Sequence, residues 1–142
     1  MFTIQTYLFN PEYDVDKMHL KKYILLDEVD FNDEAQSLYG IVKISDGQQT
    51  FTSSNEWMPQ YWFIFLQVLN GAFRDGEDHW EFPSLLQMSL DGELITLQQD
   101  DEIFIFPAQP FAQAVANYLE GFIQVCPNYF SHTYPDNAVA VK

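Results

Sequence analysis

Between Trp57 and Phe73 the chain runs Trp-Met-Pro-Gln-Tyr-Trp-Phe-Ile-Phe-Leu-Gln-Val-Leu-Asn-Gly-Ala-Phe, its most apolar stretch. Trp62, Phe65, Leu66, Leu69 and Phe73 recur at i, i+3, i+4, i+7 and i+11, one stripe of a 3.6-residue helix. Phe63, Ile64 and Val68 lie off that stripe, so more than one side needs cover, and a helix apolar nearly all round belongs inside a domain. Pro59 suits a first turn, where its missing N–H is not needed, and Gly71 offers an end. The rest of the chain is expected to pack around this helix.

The flanking segments read mostly as strands. Phe2 to Phe9 alternates and stops at Asn10-Pro11; Lys21 to Val29 alternates again and runs into acids. Leu38 to Ile44 and Gln48 to Thr52 flank Asp46-Gly47, a hairpin signal. Ser53, Ser54 and Asn55 are N-cap candidates for the central helix. Arg74 to His79 reads as a polar loop. Ser84 to Leu90, Glu93 to Leu97 and Asp101 to Phe106 follow as a meander with a turn at Asp91-Gly92. Phe111, Val115, Tyr118, Leu119, Phe122, Ile123 and Cys126 mark a second helix, opened by Pro110 and closed by Pro127. An irregular tail completes the chain. Four strands before the central helix and three after it predict an α+β fold, a largely antiparallel sheet with two main helices packed on it.

At 142 residues the chain is expected to form a single domain, 1–142, and 47% hydrophobic residues are enough for a core. Cys126 has no second cysteine to pair with, the N-terminus lacks the marks of a secretory signal, and no apolar run reaches the ~20 residues that span a bilayer. A cytoplasmic location is expected.

Chemistry finds little footing. Asp75, Glu77, Asp78, His79 and Glu81 are the best candidates for a divalent-metal site, and a metal-dependent hydrolase is the alternative they suggest; a solvated acidic loop is the simpler reading. Asp30-Phe-Asn32-Asp-Glu34 opens like a calcium loop but fails at Ala35, where glycine is needed, and at Ile41, where a bidentate glutamate is needed. His19, His79 and His132 have no ligand or triad spacing, and Cys126 sits on an apolar helical stripe. No phosphate-binding glycine loop, Gly-x-Ser-x-Gly or His-Glu-x-x-His occurs. Neither catalysis nor a cofactor is expected.

Charge is the distinguishing property: 21 acids against 6 bases, net −15. Such a surface disfavours nucleic acid and membrane and suits a basic protein. Residues 10–34 carry −5 and residues 74–102 carry −8. The expected partner-binding residues are Asp27, Glu28, Asp30, Asp33 and Glu34 in the first segment and Asp75, Glu77, Asp78 and Glu81 in the second, accepting hydrogen bonds from the partner's Lys and Arg. An acidic α+β chain with an aromatic-rich central helix, acidic loops and no catalytic motif resembles the immunity proteins of bacterial contact-dependent inhibition and related polymorphic toxin systems. That resemblance, one of type across the whole chain, implies a cytoplasmic one-to-one complex with a cognate toxin domain, frequently a basic nuclease, whose active surface is occluded. A non-catalytic adaptor subunit, its acids serving solubility alone, is the remaining reading, and a nucleic-acid mimic is a variant of the first.

Overall fold

The structure is a computed structural model that describes residues 1–17, 20–29, 36–81 and 85–125, with the backbone only for 123–125. It is α+β, with two helices and two antiparallel sheets. The strands expected from the sequence are present but divide between the sheets. Residues sort into two compact units, 3–58 and 59–142 with 1–2.

The first unit holds β1 (Thr3–Phe9), β2 (Tyr23–Leu25), β3 (Tyr39–Ser45), β4 (Thr50–Thr52) and β5 (Glu56–Trp57), ordered β2-β1-β3-β4 with β5 also on β3. Period-2 alternation turns Thr6, Leu8, Val42, Ile44 and Phe51 to one face, where each is fully buried. The second strand is shorter than its alternation predicts: Leu26–Glu28 turns into a single 3₁₀ turn that buries Leu26. Asp46 closes the β3–β4 hairpin by accepting the Gln48 and Gln49 N–H groups, both at 2.8 Å, an Asx-type turn.

Strand β5 stands between the three expected caps and the start of the central helix at Met58. Ser53 continues the β3 ladder instead, its N–H donating to the Val42 carbonyl and its Oγ accepting the Val42 N–H, each at 2.9 Å. Ser54 donates to the buried Glu56 carboxylate, and Asn55 Oδ1 accepts the Tyr23 hydroxyl.

The second unit contains β6 (Glu77–Trp80), β7 (Leu86–Asp91), β8 (Leu94–Gln99) and β9 (Glu102–Pro107) as a meander in that order, with α2 (Ala108–Val125) after it. The central helix, α1, runs from Met58 to Asp75 with Pro59 in its first turn. Trp62, Ile64, Phe65, Leu66, Val68, Leu69 and Ala72 are all buried, as a helix apolar nearly all round requires. Trp62 meets Tyr118 and Phe122 of α2 at 5.5 and 6.3 Å between ring centroids, and Phe65 meets Phe111 at 6.2 Å. Phe111 in turn stacks on Phe106 of β9 at 5.3 Å, with Phe2 edge-on to both. Such pairs each add about 0.5–1.5 kcal/mol to the burial of their area. Tyr61 donates its hydroxyl to Gln99 Oε1, so the buried amide ties α1 to β8.

Gly71 does not end the helix. It lies inside α1, where a Cβ would stand 2.7 Å from Cβ of Asp78. The stop is Gly76, whose φ of +89° suits a residue without a side chain and whose N–H donates to the Ala72 carbonyl at 2.8 Å. Pro110 falls in the first turn of α2, while Cys126, Pro127 and the tail lie outside the described residues.

Candidate functional site

The segment after Gly76 was expected as a loop, and the structure makes it a strand. Glu77, Asp78, His79 and Trp80 pair with Ser89, Met88, Gln87 and Leu86, so β7 satisfies a backbone whose side chains carry little β-propensity. Strand alternation then separates the candidate ligands. Glu77 and His79 share one face of the sheet with Gln87 and Ser89; Asp78 points to the other face, beside Gly71. Glu77 accepts a hydrogen bond from Gln87 Nε2 at 3.0 Å, Asp78 Oδ1 accepts the His79 N–H at 2.8 Å, and Glu81 lies 3.6 Å from His79 Nε2. Asp75 closes α1 and pairs with Arg74 at 3.0 Å. That hydrogen bond and charge raise the guanidinium's pKa above its ordinary value. Both groups are solvent-exposed, so the pair adds little stability. Among the described residues no three His, Cys, Asp or Glu side chains are grouped to hold an ion.

Register also divides the second acidic segment. The Leu90 N–H donates to the Gly76 carbonyl, so Asp75 and Glu77 lie beside the β7–β8 turn with Asp91 and Glu93. At the opposite end, Trp80, Leu86, Gln99 and Glu102 form one row, which gathers Glu81 with Asp100, Asp101 and Glu102. Five residues of β7 separate the ends, about 17 Å at strand rise. That exceeds the ~8 Å screening length of physiological salt, so the ends act as two charge groups.

Between α1 and β6 lies a groove of about 420 Å³ walled by Gln67, Asn70, Arg74, Asp78, His79 and Trp80. It is lined mostly by polar groups of both charges, which suits hydrogen bonding to a polar side chain rather than burial of an apolar one.

In the first unit, Asp27 and Glu28 occupy the 3₁₀ turn after β2, both exposed. Asp30, Asp33 and Glu34 lie outside the described residues. Glu28 borders a second groove, of about 440 Å³, whose walls include Tyr7, Tyr23 and Leu25 from the outward face of the first sheet. The alternation of Gln5, Tyr7 and Phe9 against Ile4, Thr6 and Leu8 already signalled that one set faces away from the buried side. Among the described residues no helix is long and apolar enough to cross a membrane. Comparison of the chain with protein-family models, with curated proteins and with solved structures finds no match.

Proposed function

We propose that this protein is an inhibitory binding protein, a toxin-neutralising immunity protein that occludes a basic partner such as a nuclease toxin. The observation that carries the reading is the uncompensated charge. Among the described residues, the only Lys or Arg ion pair formed by the proposed partner-binding carboxylates is Asp75 with Arg74. Asp27, Glu28, Glu77 and Glu81 are exposed and form no Lys or Arg ion pair among the described residues, as acceptors for an incoming Lys or Arg must be. A net charge of −15 steers such a partner and speeds encounter by about 10 to 10³-fold at low salt.

The division of the second segment between two ends of a sheet favours a partner that wraps or straddles the surface over one that plugs a single acidic spot. The test is co-expression with the product of an adjacent gene encoding a basic toxin domain. Restored growth and a co-purifying complex whose association rate falls steeply with salt are expected. A toxin left fully active by stoichiometric inhibitor, or a neighbourhood with no toxin gene, refutes the reading.

A further inference from the structure

Sheet register sets an aromatic row on the outward face of the first unit. Tyr23 stands opposite Phe9, and Tyr39 opposite Trp57. Continuing the β1–β3 register one residue past the Leu8–Gly40 pair sets Phe9 opposite Tyr39. Four rings therefore cross four strands, β2, β1, β3 and β5, over about 14 Å at ordinary strand spacing. Alternation turns them away from buried Leu8, Val42 and Ile44. The Tyr23 hydroxyl reaches Asn55, two residues before Trp57, which ties the ends of the row together. Phe9 and Tyr23 meet edge-to-face at 6.1 Å. Tyr39 and Trp57, 52% and 41% exposed, have no ring or cation partner among the described residues.

Two other rings of this face already receive cations from the chain itself. Lys22 Nζ lies 5.7 Å from the Tyr23 centroid, and Lys43 Nζ 5.5 Å from that of Tyr7 in the adjoining row. Glu28 shares a groove with Tyr7 and Tyr23, Lys21 forming part of its wall. Ring faces and a carboxylate in one groove suit a guanidinium better than an ammonium: its plane stacks on a ring while its fork of donors reaches the carboxylate, and it is the more weakly hydrated cation. The described residues of 3–58 hold seven acids against four bases, so the surroundings draw cations in general; stacking selects arginine.

We infer that this outward aromatic face is the docking surface for an arginine-bearing segment of a basic protein, with exposed Tyr39 and Trp57 as its anchors at one end and Glu28, in the groove of Tyr7 and Tyr23, as its anion at the other. The inference rests on the proposed function for the partner's charge and adds where it docks and which cation it presents.

The test titrates the full chain with oligo-arginine and oligo-lysine peptides of equal length, following the three tryptophan indole N–H resonances by NMR. Oligo-arginine is expected to bind about 10-fold tighter and to move the Trp57 resonance, while that of fully buried Trp62 stays still and reports an intact fold. Tyr39→Ala and Trp57→Ala each weaken oligo-arginine about 5-fold and leave oligo-lysine within about 2-fold. Equal binding of both peptides with a stationary Trp57 overturns the inference and leaves the acidic docking reading standing. A dimer that Trp57→Ala dissolves assigns the face to a second copy and overturns it as well. No binding of either peptide at low salt defeats this inference and the cationic-partner reading together.

Discussion

Two helical glycines give the packing of the second unit a signed test. In a helix interior, replacing glycine by alanine ordinarily stabilises by about 0.5–1 kcal/mol, because alanine has less backbone freedom to lose. Gly121, exposed in α2, has nothing within 4 Å of where its Cβ would be, so Gly121→Ala is expected to show that gain. Gly71 differs: a Cβ there would meet Asp78 at 2.0 Å from Oδ2, 2.6 Å from Cγ and 2.7 Å from Cβ. Rotating the Asp78 carboxylate relieves the first two contacts but not the third, since Cβ is fixed to the β6 backbone. That contact is about 1 Å inside the ordinary carbon–carbon separation, so the strand itself must move away from α1.

Overpacking of this kind costs about 1–3 kcal/mol. Set against the propensity gain, Gly71→Ala is expected to be neutral to about 2 kcal/mol destabilising. The difference between the two variants removes the common propensity contribution and isolates the overpacking cost. Chemical denaturation followed by far-ultraviolet circular dichroism measures both, and Asp78→Ala in the Gly71→Ala background separates the sources. If the Cβ contact dominates, truncating Asp78 restores little; if the carboxylate does, it restores nearly everything. A Gly71→Ala protein as stabilised as Gly121→Ala would refute the close approach of β6 to the helix.

Ser53→Ala removes the hydroxyl that accepts the Val42 N–H inside a buried ladder, and leaving that donor unpaired is expected to cost about 1–3 kcal/mol, read from the denaturation midpoint, whereas Ser53→Thr retains the acceptor and most of the stability. Asp46, held by the N–H groups of Gln49 and Gln48, has its pKa lowered from the ordinary 3.8. A depressed folded-state value means that its contribution is complete above the unfolded value and disappears as pH falls through the folded one. Stability measured against Asp46→Asn should therefore narrow as pH drops below about 4; a gap independent of pH across that window would refute the turn's dependence on the ionised carboxylate.

Periodicity carried most of the fold. The apolar run of α1 and the stripe of α2 were readable because burial recurs at helical spacing, and β1, β3, β7, β8 and β9 because they alternate or follow a turn signal. The missed strands share one cause. Glu56–Trp57 and Glu77–Trp80 are short and polar, and what makes each a strand is a neighbour, β3 for one and β7 for the other, rather than its own residues. The end of α1 was misplaced for a related reason: Gly71 and Gly76 look alike in sequence, and only the approach of Asp78 to one and the positive φ of the other separates a packing glycine from a stopping one.

The candidate site was less legible because charge is local in sequence and pairing is not. Reading Asp75 to Glu81 as one acidic loop treats neighbours in the chain as neighbours in space. Along a strand, adjacent side chains point to opposite faces, and the antiparallel partner brings in residues from far away. So Glu77 is grouped with Asp91 and Glu93, while Glu81 joins Asp100 to Glu102 at the opposite end. Summing charge over a segment gives the field seen from afar, which governs how fast a cationic partner arrives. It does not locate where that partner rests. Location is decided at contact distance, by rings that register sets side by side, and Tyr39 faces Trp57 across a pairing that no spacing in the sequence announces. Long-range steering and short-range recognition are therefore expected to map to different residues: neutralising Asp91 and Glu93 should slow association, and truncating Trp57 should speed dissociation.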